Sequence, residues 1–152
     1  MLAMLVGIFS TAAMAQQKEK DEDEKNEKKV TAPAEVANAF KKDFPAVKKA
    51  SWEMENGNYE AEFDMNGKEE SATYDKAGHR LEVETEIKIE ELPQVARDYV
   101  KEKYAASKIN EASKIVNNKG VTTYEAEVGK GKEKMDLIFD SNGKFLKIEK
   151  GD

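Results

Sequence analysis

The chain has 152 residues, of which 37% are charged and 39% hydrophobic, and its net charge is −6. It contains no cysteine and one histidine, which excludes a disulfide framework and a thiolate zinc site and leaves little for imidazole chemistry. Residues 33–90 hold fourteen Asp or Glu against eight Lys or Arg, so neither nucleic acid nor an anionic membrane surface is expected as a partner.

The first thirty-two residues have the composition of export and spacer segments. Residues 1–15 form a short uncharged run that ends in Ala13-Met14-Ala15, a pattern typical of a signal peptide with its cleavage site. This run is too short to span a bilayer, so no membrane span is expected after its removal. Residues 16–32 mix five Lys with six Asp or Glu, which predicts a disordered charged spacer. We therefore expect a periplasmic or secreted protein.

A helix opens each half of the remaining chain. Pro33 occupies a position tolerated at a helix start, Val36, Phe40 and Phe44 form an i, i+4 apolar stripe, and Pro45 stops the helix. The second helix starts in the same way at Pro93 and carries the stripe Leu92, Ala96, Tyr99, Val100 and Tyr104.

Strands follow each helix, and their turns set the register. Asn56-Gly57 and Asn66-Gly67 are two-residue hairpin signals that require positive φ. A turn at Asn66-Gly67 places Tyr59 opposite Tyr74, on a face that alternation makes apolar. The same reasoning pairs Ala61 with Ala72, Met54 with Tyr59, Trp52 with Ala61, Tyr124 with Phe139, Ala126 with Leu137, and Val128 with Met135. The last strand of each half is expected to add Leu81, Val83, Leu146 and Ile148 to this face.

Matching residues recur at fixed spacings, which indicates an internal duplication. Tyr59-Glu60-Ala61-Glu62 recurs 65 positions later as Tyr124-Glu125-Ala126-Glu127. Asp75, Gly78, Leu81 and Glu84 recur at the same offset as Asp140, Gly143, Leu146 and Glu149. The predicted fold is α+β, with two tandem α-β-β-β-β units at residues 33–90 and 91–152. An antiparallel meander carries the helices on one face, and the choice between one continuous sheet and two stays open.

This order of elements resembles the PepSY-like family of exported bacterial proteins and, in its tandem form, the β-lactamase inhibitory protein architecture. The resemblance rests on the Trp52 strand and on three patterns across residues 33–152. These are V-x3-F-x3-F-P (Val36, Phe40, Phe44, Pro45), Tyr59-x-Ala-x-Phe63, and D-x-x-G-x-x-L (Asp75, Gly78, Leu81). It implies a periplasmic or secreted binding or inhibitory module, and it implies no reaction.

The candidate partner-binding residues lie on the sheet face opposite the predicted helices. Alternation places a dense set of carboxylates there, and like charges on neighbouring strands are costly. On the second half, two apolar side chains are expected to be exposed on this face and to offer a partner contact. The candidate residues are Glu53, Glu60, Glu62, Asp64, Glu82, Glu84, Ile138 and Phe145.

The composition leaves one main functional hypothesis and two alternatives. No catalytic triad, phosphate-binding loop or metal motif is present, so we expect no enzyme, no cofactor and no metal. The main hypothesis is an exported, non-catalytic binding or inhibitory module that docks an unknown protein or peptide of the cell envelope. The alternatives are a structural or stress-related envelope protein without a discrete ligand, and a protein that binds cations or a small ligand.

Overall fold

The computed structural model describes residues 30–150. The predicted signal peptide, residues 1–15, and most of the predicted spacer, residues 16–32, lie outside the described residues. The helices are α1 (Ala34–Asp43) and α2 (Gln94–Lys103). The strands are β1 (Ser51–Glu55), β2 (Asn58–Met65), β3 (Lys68–Tyr74), β4 (Arg80–Glu86), β5 (Ile109–Asn117), β6 (Thr122–Val128), β7 (Met135–Asp140) and β8 (Phe145–Lys150).

The eight strands form one antiparallel sheet in chain order, and the element order is a helix followed by four strands, twice. The α+β class and the meander are therefore confirmed, and the question of one sheet or two is settled in favour of one. The join is the β4–β5 ladder, in which Val83 lies opposite Val116. Short connections join neighbouring strands within each half, which antiparallel pairing permits, whereas residues 87–108, which include α2, connect β4 to β5.

The predicted cross-strand pairs are confirmed. Tyr59 lies opposite Tyr74 and Ala61 opposite Ala72. The other observed pairs that match the prediction are Met54–Tyr59, Trp52–Ala61, Tyr124–Phe139, Ala126–Leu137 and Val128–Met135. The turns carry the left-handed backbone that their sequence predicts, with φ of 48° and 83° at Asn56-Gly57 and of 56° and 76° at Asn66-Gly67.

Two hydrophobic cores lie between the sheet and the helices. In the first core, the ring of Phe40 on α1 lies 5.1 Å from that of Phe63 and 5.4 Å from that of Trp52, both in edge-to-face arrangements. In the second core, Tyr99 on α2 stacks on Phe145 at 4.7 Å. The buried members of the cores are Val36, Phe40, Phe44, Ala61, Phe63, Ala72 and Tyr74, and Leu92, Ala96, Val100, Ala112, Ala126, Val128, Leu137 and Phe139.

The N-terminal end of the described chain is in contact with the first half of the fold. The backbone N–H of Val30 donates to the carbonyl of Trp52 at 3.0 Å. Ala32 packs against the first core. Residues 30–32, which the sequence assigns to the spacer, thus adjoin the sheet.

One expectation about β8 is wrong because a bulge precedes its regular part. The register shifts between Ile138 and Phe139, and Phe145 consequently lies opposite Phe139, on the α2 side of the sheet. A bulge adds one residue to a strand and inverts the alternation from that point. Phe145 is therefore partly buried against the second core and is not an exposed docking residue. Leu146 falls within the bulge with half of its surface exposed, so its expected place on the apolar face is also wrong. β4 has the same shift, which pairs Arg80 with Tyr74 and leaves Leu81 without a partner on β3.

Gly143 and Gly67 offer a test of how closely α2 approaches the sheet. Both have positive φ, but a Cβ at Gly143 would lie 2.7 Å from Pro93 Cβ and 2.9 Å from Ala96 N, whereas a Cβ at Gly67 would meet open space. We expect Gly143→Ala to lower the free energy of unfolding by about 3 kcal/mol, and Gly67→Ala by about 1 kcal/mol from backbone strain alone. Urea unfolding of both variants measures this difference. Equal losses would contradict close helix packing at Gly143.

Candidate functional site

The face of the sheet opposite the helices forms an acidic cleft of about 710 Å³. Among the residues that the structure describes, seventeen line this cleft, of which thirteen are Asp or Glu and none is Lys or Arg. The carboxylates are Glu53, Glu55, Glu60, Glu62, Glu69, Glu70, Glu84, Glu86, Glu111, Glu125, Glu127, Asp136 and Glu149; the others are Met54, Asn56, Ser71 and Ser113. Every strand from β1 to β8 contributes at least one of these residues.

Strand alternation explains why the carboxylates meet. Apolar residues at every second position face the helices, so the intervening positions share the opposite face. Glu70 is the exception among the carboxylates, because it lies opposite the core residue Phe63. One row crosses four strands through the pairs Glu111–Glu127, Glu127–Asp136 and Asp136–Glu149. Such rows of like charge reduce sheet stability. Two lysines offset part of this charge: Lys134 lies 2.8 Å from Glu127, and Lys147 pairs with Glu149.

The sheet curves around the cleft, so carboxylates far apart in strand order still influence one another. Glu82 on β4 and Glu149 on β8 are separated by three intervening strands. Burial raises the pKa of Glu82, and the charge of Glu149 raises it further. Lys147 acts in the opposite direction. The cleft is therefore a single electrostatic unit built from both halves of the chain.

The carboxyl groups with the most strongly raised pKa values form a chain across the middle strands. Burial raises the pKa of Glu84 to about 7 and, aided by the charge of Glu84, that of Glu125 to about 9. Ser113 lies between them on β5 with 2% of its surface exposed, and its hydroxyl donates to Glu84. Burial likewise raises the pKa of Glu111. Near neutral pH the floor of the cleft thus holds protons that exposed carboxyls would release.

The eight sequence-predicted site residues fall into four groups. Glu53, Glu60, Glu62 and Glu84 line the cleft, and Glu82 lies beside it on the same face. Asp64 shares this face through its pairing with Glu69 but lies outside the lining. Ile138 is on this face opposite Glu125, yet only 3% of its surface is exposed, so the expectation of an exposed apolar group was wrong there. Phe145 lies on the helix side.

Sequence reasoning missed the contribution of the second half. Glu111, Glu125, Glu127, Asp136 and Glu149 all line the cleft, although the second half was expected to present a less acidic face. A signal was available: Glu125, Glu127 and Glu149 stand 65 positions after Glu60, Glu62 and Glu84. The carboxylates of both halves therefore follow the same spacing as the core residues.

Within residues 30–150, no three Asp, Glu or His side chains are arranged so that they could hold a metal ion. In the same stretch, neither helix has the length and apolar character that crossing a membrane requires. The carboxylates of the cleft are thus spread along the strands and do not converge on one point.

A family model described as "Putative beta-lactamase-inhibitor-like, PepSY-like" matches residues 57–147. This range runs from the first hairpin turn into β8 and includes most of the strands that form the cleft. No curated protein matches the chain.

Solved structures share the fold over most of their length. A BLIP-like protein from Bacteroides fragilis NCTC 9343 is 26% identical, with a TM-score of 0.61 over 81% of this chain and 91% of that one. A DUF2874 family protein from Bacteroides uniformis ATCC 8492 is 22% identical, with a TM-score of 0.67 over 78% and 89%. A protein described as "putative periplasmic" from Bacteroides eggerthii DSM 20697 is 19% identical, with a TM-score of 0.68 over 79% and 89%. The last two comparisons concern the fold alone.

The raised pKa values predict an unusual dependence of stability on pH. In the unfolded chain Glu84 and Glu125 ionise near pH 4.5, whereas the folded protein keeps their protons up to about pH 7 and about pH 9. The folded state binds more protons in this window, so this contribution to stability is complete below about pH 4.5 and is lost as the pH rises through 7 and 9. We expect the free energy of unfolding, measured with urea, to fall from pH 5 to pH 9.

Glu125→Gln removes the larger shift and serves as the direct check. At pH 9 it should raise the free energy of unfolding by about 2 kcal/mol, with little effect at pH 5, where the carboxyl of Glu125 is already neutral. Glu102→Gln, on the exposed surface of α2, is the matched control and should leave the pH profile unchanged. A profile that rises from pH 5 to pH 9 in the parent protein would contradict the burial of these carboxyls.

Proposed function

Because the chain belongs to the PepSY-like, beta-lactamase-inhibitor-like family, we propose that it is an exported, non-catalytic binding module whose basic partner docks in the acidic cleft. The family and its fold support a binding module. We choose the acidic cleft as the docking site because carboxylates are concentrated on the sheet face that the helices leave uncovered. The partner class is a protein segment or peptide that presents Lys or Arg side chains.

The charge of the cleft supports this partner class. A concave surface lined by one sign of charge focuses its field and raises the local concentration of oppositely charged ligands. Within residues 30–150, the lining described above supplies carboxylates from eight strands and no basic side chain. Arg pairs with carboxylates in a bidentate manner, which suits a site where neighbouring strands place acids opposite each other, as with Glu53 and Glu60.

The raised pKa values of the floor couple the binding of a cationic ligand to the release of protons. Glu84 and Glu125 have raised pKa values because burial penalises their charged forms and nearby carboxylates repel them. A bound Lys or Arg would stabilise the charged forms and so lower both pKa values, and each unit of pKa change corresponds to about 1.4 kcal/mol. Binding is therefore expected to release protons from these two residues at neutral pH.

The internal duplication that the sequence suggests explains how the cleft is built from two similar halves. We take residues 33–90 and 91–152 as two copies of one unit, supported by matching registers and by glycines that approach equivalent helix positions: Gly78 near Glu35, and Gly143 near Val95. Either half alone supplies four strands. Joined through β4 and β5, the two halves enclose a cleft whose central residues, Glu84 and Glu125, come one from each half.

The proposal includes export of the protein to the periplasm or its secretion from the cell. It is supported by the signal-like residues 1–15 and by the similarity to a protein described as periplasmic. An exported protein without cysteine depends on packing for its stability, which the two aromatic-rich cores supply.

Binding of a fluorescent Arg-rich peptide tests the site. At pH 8 and low salt we expect saturable binding by fluorescence anisotropy, weakened at least about tenfold at high salt because the attraction is electrostatic. The double variant Glu84→Gln/Glu111→Gln should weaken binding about tenfold, and Glu102→Gln/Glu90→Gln, which removes two exposed charges outside the cleft, should have little effect. Salt-independent binding, or equal losses in both double variants, would overturn the docking site.

The same pair of double variants separates a binding module from a structural protein. A binding module should retain a stoichiometric partner from an envelope extract, and the cleft variant should lose that partner while the control variant keeps it. If the parent protein and both variants retain the same proteins, the cleft is not the docking surface. A parent protein that retains no stoichiometric partner would instead favour a structural or stress-related role in the envelope.

A further inference from the structure

The sheet has two edge strands, and they are protected unequally. At β1, the backbone N–H of Val30 donates to the carbonyl of Trp52, so the chain itself occupies part of that edge. At the other end, β8 pairs with β7 alone within residues 30–150. A free edge presents a row of backbone donors and acceptors that can pair with a further strand.

Apolar exposure also concentrates at the edge formed by β8. Ile148 faces the helix side opposite Leu137, yet 52% of its surface is exposed. Val83, 65 positions earlier, occupies the matching place on β4 and is partly buried, because β5 pairs along it and places Val116 opposite. A neighbouring strand therefore covers Val83 in the first half, whereas no strand within residues 30–150 covers Ile148 in the second.

The charged residues on either side of Ile148 would be complementary between two antiparallel copies of β8. Lys147 and Glu149 flank Ile148 and share the acidic face of the sheet. In an antiparallel pairing of two β8 strands centred on Ile148, the two Ile148 side chains would lie opposite each other on the helix side. Lys147 of each chain would then lie opposite Glu149 of the other, so two ion pairs would form across the new ladder.

We propose that the free edge of β8 binds a second copy of this chain in this register, giving a two-fold dimer with one continuous sheet. Such an interface is isologous, since the same strand serves both partners. The two-fold axis is perpendicular to the sheet, so the helices of both copies lie on one side and both acidic clefts on the other.

The self-complementary charges favour a second copy joined through β8 over a head-to-tail arrangement. If β8 paired with β1 of another copy, Glu149 would approach a strand whose side chains on that face include Glu53 and Glu55. Val30 already bonds to the backbone of that strand. The dimer uses the edge of the sheet and shares Glu149 with the lining of the cleft.

Analytical ultracentrifugation of charge variants tests the dimer and its register. The parent protein should reach twice the monomer mass as its concentration rises. Lys147→Glu alone and Glu149→Lys alone would each place like charges opposite one another twice, and should raise the dissociation constant at least about tenfold. An equimolar mixture of these two variants restores both opposite-charge contacts, so it should form a heterodimer with an affinity near that of the parent protein.

Two control variants accompany this test, and three different outcomes would overturn the proposed dimer. Glu102→Lys and Lys103→Glu alter another exposed intrachain ion pair, on α2, and should leave the dimer unchanged. Circular dichroism confirms that each variant is folded. A parent protein that stays monomeric at all concentrations would overturn the proposal. So would a mixture of the two β8 variants that fails to associate, or a mass that grows without limit, as head-to-tail pairing predicts.

Discussion

The packing of two ten-residue helices on one face of the sheet controls the rest of this structure. Helices of this length are marginal by themselves, so their stability comes from the apolar stripe that they bury. Phe40 contacts Phe63 and Trp52 on the first half of the sheet, and Tyr99 contacts Phe145 on the second. Once these contacts define the covered face, alternation leaves the intervening residues of each regular strand on the other face. The acidic cleft is the direct consequence.

The cleft lowers the stability of the fold that contains it. Rows of carboxylates on adjacent strands repel one another, and burial of Glu84 and Glu125 makes their ionisation costly. A sheet face required only for solubility could mix both charge signs at no such cost. Accumulated like charge at a concave surface is characteristic of sites where stability is exchanged for binding. Because both hydrophobic cores lie on the other side of the sheet, the fold can tolerate this cost.

The bulges in β4 and β8 show how one backbone feature serves two different side chains. Both interrupt the ladder at matching places, before Tyr74 and before Phe139. In the first half the bulge brings Arg80 to the helix side, where its guanidinium lies 3.2 Å from Asp43 and 5.9 Å from the ring centroid of Phe44. In the second half it brings Phe145 into the aromatic core. A polar contact and an apolar contact thus close the two helix–sheet junctions.

Local signals in the sequence were sufficient for the elements, the turns and most of the register. An Asn-Gly turn restricts a hairpin to one pairing, so Tyr59 opposite Tyr74 and the carboxylates of the first half could be placed without coordinates. Tertiary structure alone decided the features that depend on distant strands or on one inserted residue. These are the single sheet, the bulge that turns Phe145 inward, the burial of Ile138, and the meeting of Glu84 with Glu125. Alternation is a local property that a sequence displays directly, whereas curvature, bulges and desolvation arise only when separate strands pack together.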